Sequence, residues 1–189
     1  MSLSAQKRRL VLAGFGFGLC AAPWTALAQQ CKVTPRDALG PFYKSGAPAT
    51  GELCASGSGG AEKLVVTGHV TSLPGCAPLS GARVEVWQAD AHGDYTQVGG
   101  ARDDPRCLLR ASVIADVAGQ YRYTTILPGE YPGRPRHIHY RVSHPGHAAL
   151  VTQLYFGSGR GIPDALQAVL RRDAQGVWQA TFDLTLARA

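Results

Sequence analysis

Two histidines lie two residues apart in the stretch GRPRHIHYRV, residues 133–142. The imidazoles of His137 and His139 suit iron, copper, zinc and nickel alike as ligands. Two tyrosines follow glycine turns, Tyr131 at the end of PGEY and Tyr95 at the end of ADAHGDY. A phenolate is a hard, anionic ligand, and coordination to a trivalent cation can lower the pKa of a tyrosine far below about 10. Two phenolates and two imidazoles could therefore hold an oxidised metal ion.

To bind one metal ion, the side chains of the two histidines must point to the same side of the element that carries them. Side chains two apart in a β-strand point to the same face, so His137 and His139 share a face with Arg141. The opposite face of this strand is apolar and holds the following residues: Ile138, Tyr140 and Val142. The pattern predicts that the apolar face packs in the core and that the histidines look outward into a polar site.

The chain from residue 63 onward consists of short β-branched and aromatic runs separated by glycine and proline, which is typical of a sandwich. The predicted strands are 63–71, 82–89, 108–114, 120–126, 136–142, 149–156 and 177–186. Only residues 163–172 show helical spacing of apolar residues. The predicted fold is all-β, an antiparallel-dominated β-sandwich with one short helix and a loop-rich N-terminal arm.

The N-terminus has the pattern of an export signal. Lys7, Arg8 and Arg9 precede an apolar run that is too short to span a bilayer, and a small-residue cleavage site follows at 26–28. The paired arginines favour the twin-arginine route over the Sec route. We therefore expect residues 1–28 to be a signal peptide, 29–62 the arm and 63–189 the catalytic sandwich domain of a periplasmic or secreted protein.

Half of the net positive charge lies in the predicted signal. The chain has a net charge of +6, and residues 1–28 hold three positive charges and no acidic residue, which leaves +3. The remainder has no cluster of basic residues with interleaved aromatics. We expect neither a nucleic-acid partner nor, after removal of the signal, a membrane.

Four of the five cysteines lie outside the predicted signal: Cys31, Cys54, Cys76 and Cys107. An even number in an exported chain predicts two disulfides, with three possible connectivities. Proximity along the chain favours Cys31 with Cys54 and Cys76 with Cys107. A zinc site made of all four cysteines is disfavoured, because the chain has no C-x-x-C pair.

Six motifs, in order, resemble the intradiol ring-cleavage dioxygenases, the family of protocatechuate and catechol dioxygenases, and especially its small exported members. They span residues 31–156 and read CKVTPRDALGPFY, LVVTGHV, GARVEVWQADAHGDY, GQYRYTTILPGEY, GRPRHIHYRV and LVTQLYF. The resemblance implies an Fe(3+) cofactor without haem, with four protein ligands: Tyr95, Tyr131, His137 and His139. It implies cleavage of a catechol-type ring by O2 between the two hydroxylated carbons, with a cis,cis-muconate-type product.

The resemblance also implies roles for three residues near the substrate. Tyr131 would accept a proton of the diol, Arg134 would stabilise the anionic substrate, and Gln153 would lie close to it. Only two residues separate Tyr131 from Arg134, fewer than in the large aromatic-acid dioxygenases, which favours a more open pocket. The arm is too short for the helical dimerisation region of catechol dioxygenases, so the oligomeric state stays open, as does the identity of the catechol.

Two other functions fit an exported sandwich. A non-catalytic transthyretin-like binding module would be expected to have lost a ligand, and none of the four positions is empty. A copper/zinc superoxide dismutase would need further histidines and an aspartate in the metal site. His144 and His147 lie on the tight SHPGH turn without such a pattern.

Overall fold

The structure is a computed structural model that describes the following residues: 31–54, 60–95, 106–130, 133–159 and 161–189. Its elements are nearly all strands, as predicted. The strands are β1 Lys63–Ser72, β2 Ala77–Pro78, β3 Arg83–Gln88, β4 Arg110–Ile114, β5 Gln120–Ile126, β6 His137–Ser143, β7 Leu150–Tyr155, β8 Arg171–Arg172, β9 Trp178–Thr181 and β10 Leu184–Leu186. No helix in the described part of the chain is long and apolar enough to cross a membrane.

The strands form two sheets that enclose one apolar core. The four-stranded sheet has the order β4-β3-β6-β7 and is antiparallel throughout. The other sheet is built around β1, which pairs antiparallel with β2 and β5 and parallel with β9 and β10. The residues between the sheets include Leu64, Val66, Val84, Val86, Ile138 and Val142, all buried. Each such side chain contributes about 1.5–3 kcal/mol on burial.

The predicted strand at 177–186 is two strands, β9 and β10, interrupted at Phe182 and Asp183. The interruption lies where β1 has Gly68, whose position leaves no room for a side chain: a Cβ there would be 1.9 Å from the Phe182 carbonyl oxygen. That oxygen accepts a hydrogen bond from the hydroxyl of Tyr121 at 2.5 Å. Asp183 accepts one from the backbone N–H of His69 at 2.9 Å. The tyrosine and the glycine together fix this break between the strands, which the alternation pattern did not predict.

The predicted helix over 163–172 is wrong beyond its first turn, because the structure has only a 3-10 helix at Asp164–Leu166. The chain then extends, and the backbone N–H of Ala168 donates to the carbonyl of Tyr155 at 2.9 Å. Of the apolar stripe, Leu166 is buried, whereas Val169 is 74% exposed. Pairing with the end of β7 therefore overrides the helical pattern.

The disulfides join Cys31 to Cys76 and Cys54 to Cys107, so the pairing favoured from proximity is wrong. The arm does not close on itself but runs across the sandwich, and each end is fixed to a different loop. At its far end, the N–H of Leu53 donates to Thr124 at 2.8 Å. The arm is therefore anchored at both ends and covers the outer face of the four-stranded sheet.

Candidate active site

Strand β6 places His137 and His139 on the outer face of the four-stranded sheet, away from the core. His139 pairs with Trp87 on β3 and with Gln153 on β7. The prediction of a shared face is correct, but the histidines are not open to solvent: their exposed fractions are 5% and 3%. The arm that covers this face accounts for their burial.

Hydrogen bonding fixes the orientation of His137. Its Nδ1 lies 2.9 Å from the carbonyl oxygen of Pro135. Because a carbonyl only accepts, Nδ1 carries the hydrogen and Nε2 keeps a lone pair for a further ligand. Burial lowers the pKa of His137, and the Pro135 carbonyl opposes this shift.

His139 is held neutral more strongly. Burial lowers its pKa to about 3, and the nearby charges of His137 and Arg134 act in the same direction. Its Nδ1 is sealed from solvent and has no hydrogen-bond partner among the described residues. A neutral, buried imidazole with an unsatisfied nitrogen is the form in which histidine binds a metal.

The indole ring of Trp87 packs against the imidazole ring of His139. The two rings stack with their centroids 5.0 Å apart and their planes 6° apart. Tyr43 of the arm meets the tryptophan edge-on at 5.0 Å, and its hydroxyl donates to Glu85 at 3.3 Å. Glu85 is paired with Arg141 at 2.6 Å. These contacts fix the imidazole ring from below.

A turn after β3 presents Tyr95 to the histidines. The Asp90 carboxylate accepts the backbone N–H groups of His92 and Asp94 at 2.9 and 3.0 Å, which closes the turn. The ring of Tyr95 then lies 6.2 Å from that of His139, and its hydroxyl is sealed from solvent. Tyr131, the other predicted tyrosine ligand, lies outside the described residues.

The arm supplies a wall of the site that the sequence analysis did not predict. Phe42 stacks on Tyr95 at 4.1 Å with the ring planes 6° apart. Gly40 lies against His139: it has a φ of +73°, and a Cβ there would be 3.1 Å from the ring. The signal for this wall was GPFY, the end of the motif CKVTPRDALGPFY, to which no role in the site was assigned.

Arg134 and Gln153 belong to one hydrogen-bond network. Nη1 of Arg134 donates to Oε1 of Gln153 at 3.1 Å, and Nε2 of Gln153 donates to Ala38 at 2.8 Å. The Tyr155 hydroxyl lies 2.9 Å both from the same Gln153 oxygen and from Asp37. Burial and the Asp37 carboxylate raise the pKa of Tyr155 to about 12. Gln153 is fully buried, so its direct neighbour in the site is the arginine.

These elements enclose a cavity of about 240 Å³, lined by Ala38, Gly40, Pro41, Phe42, Tyr95, Arg134, His137 and His139. The predicted residues Tyr95, Arg134, His137 and His139 thus share one cavity, and Gln153 lies behind it. A second cavity of about 400 Å³ adjoins Arg134 on the side of Asp37 and Tyr155.

The donor atoms of the cavity fit one kind of metal ion. No group of three or more His, Cys, Asp or Glu side chains that could hold a metal occurs within the described residues. A metal in this cavity would therefore need a phenolate beside the two imidazoles. Such a set suits a hard, highly charged ion better than Cu(I) or another soft one.

Three comparisons connect the chain with known proteins. A family model described as dioxygenase matches residues 39–135. The dioxygenase domain of a dioxygenase carbohydrate-binding protein fusion from Streptomyces sp. SirexAA-E is 34% identical with a TM-score of 0.72, over 84% of this chain and 100% of that one. Catechol 1,2-dioxygenase from Candida albicans is 35% identical over 149 residues, which are 68% of this chain and 48% of that protein.

The beta chain of protocatechuate 3,4-dioxygenase from Burkholderia cepacia is 40% identical over 106 residues, 50% of this chain and 45% of the relative. The chain spans about half the length of the curated relatives it matches. The family match contains Tyr95, Tyr131 and Arg134 and ends two residues before His137.

Proposed function

Since the chain belongs to the intradiol dioxygenase family, we propose that it cleaves a catechol-type aromatic ring with O2 between the two hydroxylated carbons. Both oxygen atoms enter the product, a cis,cis-muconate-type diacid, and the carbon–carbon bond between the two former hydroxyl positions breaks. The observation that carries this proposal is the convergence of Tyr95, Arg134, His137 and His139 on one cavity.

Members of this family generally use iron, and we propose Fe(3+) as the cofactor of this chain. His137 and His139 would supply neutral imidazoles, and Tyr95 would supply a phenolate. Tyr131 is proposed as the fourth ligand, on the strength of the sequence motif. When bound, the ferric ion would withdraw electron density from a chelated diol and make its ring reactive towards O2.

Tyr131 is also the proposed proton acceptor for one of the two diol protons. A diol that binds through both oxygens gives up two protons: a phenolate at Tyr131 would take one of them, and hydroxide from solvent would take the other. This role is distinct from that of Tyr95, which Phe42 holds in a stack at 4.1 Å. Tyr95 would stay in place while Tyr131 exchanges its proton.

Arg134 would stabilise the negative charge that develops on the ring. Its guanidinium lines the cavity, and the bond to Gln153 at 3.1 Å restricts its orientation. A fixed positive charge that needs no rearrangement during the reaction is an effective form of electrostatic catalysis. Gln153 then acts on the substrate through Arg134, because its amide is already bonded to Ala38.

The size of the cavity favours a substrate with one aromatic ring. Its volume of about 240 Å³ is below the roughly 300–1,000 Å³ of pockets that hold drug-sized ligands. Pro41 and Phe42 cover one wall with apolar surface, against which the ring of a catechol could pack.

Oxygen uptake by the iron-loaded protein, measured against a panel of catechols, tests the proposal. The expected product has the mass of the substrate plus both atoms of O2 and carries two carboxylates. The protein itself should be wine-red from tyrosinate-to-iron charge transfer. An extradiol product with an aldehyde group would refute the mechanism, and a colourless protein without oxygen uptake would favour a binding module.

We further propose that the protein is exported through its N-terminal segment, residues 1–28, which lie outside the described residues. The two disulfides support this, because such bonds persist in oxidising compartments. Fractionation of cells and sequencing of the mature N-terminus test it, with a change of Arg8 and Arg9 to lysine to separate the two export routes. A cytoplasmic, uncleaved chain would contradict the proposal.

A further inference from the structure

The turn between β6 and β7 holds a second pair of histidines, His144 and His147, separated by Pro145 and Gly146. The turn is tied down by the last residues described. The backbone N–H of Ala189 donates to the carbonyl oxygen of Gly146 at 3.1 Å. The backbone N–H of Ala148 donates to the carbonyl oxygen of Ala187 at 3.0 Å. Gly146 adopts a φ of 74°, which favours glycine. The two imidazoles are therefore fixed on a bonded turn.

Three electron-pair donors form a small triangle on this turn. Nδ1 of His144 lies 3.2 Å from Nδ1 of His147. The carbonyl oxygen of Pro145 lies 2.9 Å from the first nitrogen and 3.1 Å from the second. Metal–nitrogen bonds measure about 2.0–2.1 Å, so ligand atoms at right angles around one ion lie about 3 Å apart. The three edges of the triangle match that spacing.

The outer nitrogens of both rings are already engaged. Nε2 of His144 lies 3.2 Å from the carbonyl oxygen of Ser80, which only accepts, so the tautomer with its hydrogen on Nε2 makes this bond and keeps a lone pair on Nδ1. Nε2 of His147 lies 2.8 Å from the hydroxyl of Ser72, which itself donates to Leu73 at 3.2 Å. The hydroxyl has one hydrogen, so Nε2 of His147 is the donor in this arrangement.

In these tautomers both Nδ1 atoms hold lone pairs that face each other and the Pro145 oxygen, whereas the other tautomer of His144 would donate from Nδ1 to Pro145. Lone pairs in such contacts repel, and a single added hydrogen can serve only two of the three edges. A cation in the triangle would make all three contacts favourable. The bonds to Ser72 and Ser80 are the kind of outer contact that fixes the tautomer and orientation of a metal-binding histidine.

We propose that His144, His147 and the Pro145 carbonyl bind one divalent transition-metal ion, Cu²⁺ or Zn²⁺. Two imidazoles and one oxygen suit these ions, and their remaining positions would be filled by water. The site lies past the end of β6, whereas His139 is inside the strand, five residues earlier. It is therefore separate from the proposed dioxygenase centre and does not depend on the proposed activity.

The test uses untagged, iron-saturated protein titrated with Cu²⁺, the divalent ion that nitrogen ligands of this class bind most tightly. After gel filtration, we expect one retained Cu²⁺ per chain. Its electron paramagnetic resonance spectrum should show coupling to two imidazole nitrogens. His144→Ala and His147→Ala should each weaken Cu²⁺ binding at least tenfold while leaving oxygen uptake unchanged.

The matched control is His69→Ala, which removes another partly exposed histidine, one paired with Asp183 at 3.4 Å. This variant should keep the full affinity for Cu²⁺. If either turn variant fails to fold, the copper spectrum of His139→Ala decides the question, because this variant keeps the turn and has only one imidazole left in the cavity. No retained Cu²⁺, coupling to fewer than two nitrogens, or equal losses in the control would mean that the triangle holds only a proton and would overturn the proposal.

Discussion

Strand β6 carries ionisable side chains on both faces, and both faces are buried. On the outer face, His137 and His139 border a cavity, and Nδ1 of His139 has no hydrogen-bond partner among the described residues. On the core face, Tyr140 shares a short hydrogen bond with the hydroxyl of Tyr123. Burial raises the pKa of both tyrosines well above its usual value. Burial alone therefore does not distinguish a functional site from a packed core.

The difference between the faces lies in whether the polar atoms are satisfied. The tyrosine cluster in the core, defined as Tyr121, Tyr123 and Tyr140, has its hydroxyls bonded to one another or to a carbonyl, which rigidifies the packing. The outer face combines the unbonded Nδ1 of His139, the guanidinium of Arg134 held by Gln153, and the cavity that both residues line. These features together favour ligand binding at the outer face and structural stability at the core face. Each face can be tested by removing a single group.

The largest expected effect is that of His139→Ala in the iron-loaded protein. Residues that merely support metal ligands cost about 10–100-fold in metal affinity or activity when changed, so loss of a direct ligand should cost more than about 100-fold. Oxygen uptake and the iron content per chain measure it. Far-UV circular dichroism should stay unchanged. If the variant keeps its iron and its activity, the outer face takes no part in the reaction.

Tyr95→Phe should have the next largest effect: a weaker tyrosinate charge-transfer band, of which Tyr131 would keep its share, and a fall in activity of roughly 100-fold, as for loss of an important group at a metal site. Phenylalanine keeps the stack on Phe42 and removes only the hydroxyl. The matched control is Tyr121→Phe, which removes a hydroxyl from the core face. If both variants keep the same absorption spectrum as the unchanged protein, Tyr95 is not a ligand.

Tyr140→Phe should affect stability rather than activity. It leaves the Tyr123 hydroxyl without its partner Tyr140 in the core, which costs about 1–3 kcal/mol of unfolding free energy. The double variant Tyr123→Phe/Tyr140→Phe should recover part of that loss, because no hydroxyl of this pair is left unpaired. Urea unfolding measures the stability and oxygen uptake the activity. Additive losses in the double variant would show that the two hydroxyls do not interact.

The sequence predicted the features that depend on local alternation. The two faces of β6 follow from the two-residue period, and glycine and proline mark where most of the longer strands begin and end along the chain. It did not predict that Trp87 would stack beneath His139, because a tryptophan on a sandwich strand has the same pattern on either face. The sequence also could not predict the position of Phe42. Residues 31–54 show no periodic spacing of apolar residues, and contacts with residues far away in the sequence fix their path. The prediction that Cys31 pairs with Cys54 failed for the same reason, because its partner Cys76 lies in a distant loop.

The smallest expected effect is the pH dependence that the tyrosines of the core face contribute. Burial raises the pKa of Tyr121 and Tyr123 well above the usual value. In the unfolded chain they ionise near pH 10, whereas in the folded chain they keep their protons, so their contribution to stability is complete below pH 10 and is lost as the pH rises further. Each should lower the unfolding free energy by about 1.4 kcal/mol per pH unit above that point. Urea unfolding of the wild type and of Tyr121→Phe/Tyr123→Phe between pH 9 and pH 11 measures this, and the variant should show the shallower slope. Equal slopes would mean that these hydroxyls ionise in the folded protein, and the contrast between a satisfied core face and an open outer face would then fail.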